Sequence, residues 1–155
     1  AHWQFLWSTG PANYKEVMQA VEDMGRDPHE HGINPYIDEM DRAYAAADLV
    51  IARAGAITLA ELTARGLPAI LVPLPIARGH QRSNARWMAE AGAARVIEQR
   101  DPQAVVQLEQ VLGQLAGSSE TLLRMAEASK KLGRPDAALN LARLVLEFMP
   151  NIGAS

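Results

Sequence analysis

The chain of 155 residues has no cysteine, which excludes disulfides and thiolate chemistry and suits a reducing compartment. Aromatic residues are scarce, at 5%, while Ala, Leu and Val abound, a balance that favours helices packed on a sheet over an all-β sandwich. There is no run of Lys or Arg, and the formal net charge is -3, so nothing offers a footprint for a phosphate backbone and nucleic acid is not expected as a partner. Long apolar runs are missing too. The longest, PAILVPLPIA from Pro68 to Ala77, falls short of the ~20 residues that span a bilayer and is interrupted by proline. The opening segment, Ala1 to Trp7, lacks the basic stretch and layout of a signal peptide. It begins without Met and directly in a strand, so the chain reads as part of a longer protein.

What is present is 48% hydrophobic residues, enough for one soluble globular domain with a real core. His2 to Ser8 reads as a buried strand closed by Ser8-Thr9-Gly10-Pro11, and Tyr14, Val17, Met18 and Val21 then recur at helical spacing. After the polar stretch Gly25 to Gly32 come a short strand, Ile33 to Ile37, and a helix from Asp38 to Ala47 with Asp38 as its N-cap and Met40 and Tyr44 on one face. Further strands are expected at Leu49 to Ala52, Ala69 to Pro73 and Ala94 to Glu98, with helices at Thr58 to Arg65 and Ser83 to Ala91 between them. This alternation means a parallel α/β sheet with right-handed crossovers.

From Asp101 onward every apolar pattern has helical period. Val105, Leu108, Val111, Leu112 and Leu115 form one stripe, Leu122, Leu123 and Met125 belong to a second, and Leu139, Leu141, Val145 and Leu146 to a third. Asp101-Pro102 suits a helix start, Ser118 or Ser119 suits the next cap, and Gly133-Arg134-Pro135 separates the last two helices. The final helix is similar to one helix of a tetratricopeptide unit, but a single unit cannot bury its own face.

The stretch RAGAITLAE, Arg53 to Glu61, joins a strand to a helix through small residues. Such junctions put backbone N–H groups and a helix N-terminus at the carboxyl edge of a sheet, where anions bind. Gly55 and Ala56 let a ligand such as a diphosphate approach the backbone; the plainer reading is that Gly55 only permits a tight turn. Glu61 stands three residues after Thr58, the spacing of a capping box, which on spacing alone is its favoured role; the other is to accept hydrogen bonds from two ribose hydroxyls. His80 and Gln81 follow a Pro/Gly-rich loop one βα unit further on, and adjacent strand tips would bring them to the Gly55 turn. Taken alone, they read as helix-start polarity, with Asn84 one exposed turn later. Asp27, His29, Glu30 and His31 lack a further spaced ligand and are read as solvated, and Asp38, Glu39 and Asp41 as charges at a helix start. There is no P-loop, no G-x-S-x-G and no complete G-x-G-x-x-G.

Ala47 to Pro75 (ADLVIARAGAITLAELTARGLPAILVPLP), His80 to Ala85 (HQRSNA) and Ala91 to Gln99 (AGAARVIEQ) together resemble the C-terminal half of the MurG family, bacterial lipid-linked N-acetylglucosaminyltransferases of peptidoglycan synthesis. The resemblance extends upstream through Pro35 to Asp48 and, more loosely, downstream through Ser118 to Ala137. It implies a GT-B fold, with residues 1–100 a truncated Rossmann-like part that binds UDP-N-acetylglucosamine and 101–155 a helical segment packing on it. It places Glu61 on the uridine ribose, Ile37 beside the uracil, Ala56, Ile57 and Thr58 in the turn near sugar and diphosphate, and Gln81 on the N-acetylglucosamine hydroxyls. His80 stands where members carry His or Gln, and Ile76-Ala77-Arg78-Gly79 differs from their acidic or amide-rich loop.

The resemblance also implies a Gly-rich first strand and a whole acceptor domain before Ala1. That domain would hold the catalytic base and the patch that seats the parent protein on the inner face of the plasma membrane. The partners implied are UDP-N-acetylglucosamine and, through the acceptor domain, a lipid-linked muramoyl pentapeptide. This chain alone is expected to be inactive and to oligomerise through a truncated sheet edge. No cofactor is implied, and no D-x-D-type carboxylate pair suggests a metal. A diacylglycerol glycosyltransferase with the same donor half and a non-catalytic nucleotide-sugar-binding subunit stay open as alternatives.

Overall fold

The computed structural model describes residues 3–75 and 79–149. Five short strands alternate with helices in chain order: β1 (Leu6–Ser8), α1 (Tyr14–Asp23), β2 (Gly32–Asn34), α2 (Met40–Ala46), β3 (Val50–Ala52), α3 (Ala56–Arg65), β4 (Ala69–Leu71), α4 (His80–Glu90) and β5 (Ala94–Val96). Three helices follow, α5 (Ala104–Ala116), α6 (Ser119–Leu132) and α7 (Ala137–Phe148). The Rossmann-like α/β arrangement with a helical tail read from the sequence is present.

The strands are all parallel but form two sheets, β1-β2 and β3-β4-β5, where the alternation suggested one. The neighbours are those of a doubly wound sheet of order 3-2-1-4-5-6 with its first strand removed. A strand in that position would lie between β1 and β3, which do not pair with each other. With a partner on one side only, β1 is not the buried strand its apolar residues suggested: Leu6 and Trp7 are 52% and 48% exposed.

The core sits around β4, whose three residues are fully covered. Because strand side chains alternate between faces, Ala69 and Leu71 meet Leu59 and Leu62 of α3 and Ala85 and Met88 of α4, while Ile70 meets Leu115 of α5 and Met125 of α6. This two-sided burial is why the β4 region reads as a continuous apolar run. Two Schellman closures feed the buried strands: Leu67 N–H donates to Leu62 O at the end of α3, and Ala93 N–H to Met88 O at the end of α4.

Helix α6 packs on α3 and is capped by Ser118, whose Oγ accepts from Thr121 N–H at 3.2 Å. Asp101 does not cap α5 directly. Its carboxylate accepts from the N–H of Gln103 and the side chain of Gln107, both at 2.8 Å, bonds that hold its pKa below the ordinary value, and the helix starts at Ala104. Among its described residues α7 buries none, and Leu141, Leu146 and Phe148 are 62%, 70% and 78% exposed.

On α6, Ser129 is fully buried and its hydroxyl has no hydrogen-bond partner among the described residues. An unsatisfied buried hydroxyl costs free energy, and alanine is the better helix former. Ser129→Ala is therefore expected to raise stability by about 1 kcal/mol, read as a higher urea midpoint at unchanged slope; a lower midpoint would contradict it.

Candidate functional site

The turn after β3 is where the site is built. Helix α3 starts at Ala56, two residues earlier than the apolar pattern suggested, with Gly55 as N-cap and no side chain capping it. Among the described residues the first-turn N–H groups of Ala56, Ile57 and Thr58 therefore have no side-chain acceptor, and they stand at the positive end of the helix dipole. Gly55 has φ -70° and ψ 144°, a conformation open to any residue, and a Cβ added there would meet only Thr58 Oγ1 at 3.7 Å. The turn itself does not require glycine, so the plainer of its two readings loses its reason.

The early helix start also removes the capping box. Thr58 is the third helical residue rather than the cap, and Glu61 turns away from the terminus: its Oε2 accepts from the Tyr44 hydroxyl at 3.1 Å. Tyr44 belongs to the buried cluster and lies on α2, which packs against α3. Burial first, then the hydrogen bond and the negative charge of Glu61, push the Tyr44 hydroxyl up to about 12, so it is a donor throughout the neutral range. The Arg65 guanidinium lies 5.7 Å from the centre of the Tyr44 ring.

Gln81 and His80 occupy the first turn of α4, which begins at His80 rather than Ser83. Gln81 Oε1 accepts from Leu74 N–H at 2.8 Å, folding the loop after β4 back onto the helix. His80 is exposed. Of the loop singled out in the sequence, Ile76, Ala77 and Arg78 lie outside the described residues. Between α4 and the turn before α3 the contact runs through Asn84, in the second turn of α4, whose amide donates to Ala54 O at 3.0 Å; His80 and Gln81 do not line the hollow formed there. Ala56, Ala60, Asn84 and Trp87 then share a hollow of ≈ 460 Å³ with the end of α6.

Ile37 lies on a cleft of ≈ 390 Å³ with Leu6, Asn34, Tyr36, Arg42 and Ala46, and no α3 residue lines that cleft. Asp38 does not cap α2; the cap position is Glu39, which pairs with Arg42 at 2.9 Å. Among the described residues no group of three or more His, Asp or Glu side chains is arranged to hold a metal.

Three residues whose part is not evident from local sequence organise this region: Tyr44, Asn84, which is half-buried rather than exposed, and Arg53. The Arg53 guanidinium donates to Val72 O at 3.0 Å and Gln99 Oε1 at 2.6 Å, tying the carboxyl ends of β3, β4 and β5 together. Arg53 and Asn84 both lie within the stretches that carry the family resemblance, RAGA and HQRSNA.

A parallel sheet with helices on both faces, loops gathered at its carboxyl edge and an uncapped helix N-terminus among them is the Rossmann-like half of a GT-B glycosyltransferase. The chain belongs to glycosyltransferase family 28: the family model for its C-terminal domain matches residues 1–141. It is 44% identical over 146 residues to the UDP-N-acetylglucosamine--N-acetylmuramyl-(pentapeptide) pyrophosphoryl-undecaprenol N-acetylglucosamine transferase of Halothermothrix orenii, with 92% of this chain and 39% of the relative covered. The transferase of the same name from Desulforamulus reducens is 45% identical over 152 residues, with coverages of 95% and 40%. The crystal structure of Acinetobacter baumannii MurG superposes with a TM-score of 0.75 at 34% identity, with 90% of this chain and 41% of that one covered. The chain thus spans about two fifths of the length of the relatives it matches.

Proposed function

We propose that this chain is the donor-binding part of an inverting glycosyltransferase. The reaction moves N-acetylglucosamine from UDP to the C4 hydroxyl of a lipid-pyrophosphoryl-N-acetylmuramoyl pentapeptide. The observation that carries the reading is the α3 start: an uncapped helix N-terminus entered through a glycine that the turn does not need, with the Glu61 carboxylate one turn further along the same helix. The names of the relatives favour this donor and acceptor over a diacylglycerol acceptor or a non-catalytic subunit.

In this reading the diphosphate sits against the backbone N–H groups of Ala56, Ile57 and Thr58. There the helix terminus stabilises the negative charge that grows on the leaving UDP as the glycosidic bond breaks. Glu61 accepts the two ribose hydroxyls, and a carboxylate with about four lone-pair sites can do so while bonded to Tyr44. Ile37 supplies an apolar contact for the uracil, and Gln81 and His80 border the sugar. Orientation of the donor is the other part of the work, because fixing the anomeric carbon for in-line attack removes much of the entropic cost. No residue of the chain is assigned as the base, which this reading leaves to the acceptor domain. No helix among the described residues is long and apolar enough to cross a membrane, and attachment of the parent protein to the inner face of the plasma membrane is part of the same proposal.

The test is an NMR titration of UDP into the chain and into Glu61→Ala. UDP is expected to bind weakly, shifting the amides of Ala56 to Glu61, and the substitution is expected to raise Kd about tenfold or more, since hydrogen bonds to a charged group are the strong ones. Identical shifts and affinity in the two proteins would remove Glu61 from the site.

A further inference from the structure

Glu61 is a long, flexible side chain on the outer face of a helix, yet its carboxylate is held at one oxygen by a group that is itself fixed. Tyr44 is only 8% exposed, its ring packs in the cluster formed with Leu59, Leu62 and Ala54, and the Arg65 guanidinium covers it at 5.7 Å. Arg65 stands four residues after Glu61 on α3, where an ion pair across one helical turn would be the ordinary outcome. Instead it lies over the Tyr44 ring, and among the described residues no ion pair involves Glu61. The carboxylate is therefore oriented by a hydroxyl and left unneutralised. Among the described residues Oε1 has no hydrogen-bond partner in the protein.

We propose that the Tyr44 hydroxyl is a positioning group for nucleotide recognition. By donating to Glu61 Oε2 it fixes the rotation of the carboxylate and leaves Oε1 to receive the vicinal hydroxyls of the ribose. This rests on the reading of Glu61 as the ribose acceptor and adds a residue from a different helix to that contact. The benefit is preorganisation: a side chain already ordered in the free protein loses less freedom when the nucleotide binds. Arg65 contributes at one remove, by keeping the ring in place from the same helix that carries the carboxylate.

The experiment compares binding of UDP and of 2′,3′-dideoxy-UDP to the chain, to Tyr44→Phe, to Glu61→Ala and to the double variant. Phenylalanine keeps the ring in the core and under Arg65 and removes only the hydroxyl. Tyr44→Phe is expected to raise Kd for UDP about three- to tenfold, less than Glu61→Ala because the hydroxyl acts on the nucleotide only through the carboxylate. It should leave Kd for the dideoxy nucleotide unchanged and have no further effect in the Glu61→Ala background, because the two groups act as a unit. Equal weakening of both nucleotides, or additive effects in the double variant, would mark a general disturbance of the fold and overturn the proposal. If Glu61→Ala weakens UDP and Tyr44→Phe does not, the positioning role falls and the ribose contact stands. If Glu61→Ala leaves UDP binding unchanged, or UDP does not bind the unsubstituted chain, the ribose contact fails and the positioning role with it.

Discussion

Replacing Leu62 by alanine is expected to cost about 3 kcal/mol of stability and to lower the thermal midpoint by on the order of 10 °C. Leu62 has no exposed surface and lies where α3 meets β4 and α4, among Leu59, Leu71, Ala85 and Met88. The cost has two parts, the lost transfer of the deleted carbons and the cavity left behind, and the second is large where neighbours cannot collapse. Here the neighbours are a buried strand and the helices that cover it, all held by their own backbone bonds. Ile57 is the control on the same helix: at 77% exposed, its change to alanine is expected to stay within about 0.5 kcal/mol. Calorimetry on both variants checks the pair, and equal shifts would mean that α3 is not anchored by Leu62.

Gly133→Ala is expected to cost about 2–3 kcal/mol, although Gly133 has an ordinary φ of -65° that alanine adopts freely. The reason is distance. A Cβ at this position would collide with the carbonyl oxygen of Thr63 and stand 2.8 Å from its carbonyl carbon, and a backbone contact cannot be relieved by a rotamer change. The end of α6 would have to move away from α3, loosening the packing of Leu132 against the core. Because Thr63 is two residues from Glu61, the strain reaches the helix that carries the proposed nucleotide contacts. Amide shifts confined to Thr63, Ala64 and the end of α6, together with a lower denaturant midpoint, are the expected signature. An unchanged midpoint would mean that the two helices separate at no cost.

Much of this architecture was legible because the apolar runs of β3 and β4 are bounded by glycine, proline and small residues, and because helical period takes over after Asp101. The starts of helices were less legible. Gly55 and Gly79 cap α3 and α4 without a side chain, so nothing in the pattern marks Ala56 or His80 as the first helical residue. Thr58 and Glu61 have capping-box spacing by coincidence of sequence, and only the docking of α2 on α3 shows the carboxylate bound to Tyr44 instead. That partner is 17 positions away, beyond the reach of any local rule. Pairing is also long-range: alternating strands and helices announce parallel sheets but do not say that the ladder breaks between β1 and β3. For the site, the small residues of the turn were visible as a pattern, whereas Arg53 and Asn84 acquire meaning only once β3, β4 and β5 stand side by side.

The break in the ladder has a consequence for cooperativity. Both buried clusters are drawn from Tyr44 and later residues and, among the described residues, no backbone bond links β1 to β3, so within this chain the unit made of β1, α1 and β2 contributes little to the core. The cleft beside Ile37 straddles this divide, with Leu6 and Asn34 from the first unit and Arg42, Ala43 and Ala46 from α2. Whatever fills that cleft touches both units at once and lowers the free energy only while they are together. Occupancy of the cleft and docking of the β1–β2 pair beside α2 are thereby linked, each favouring the other by the same factor.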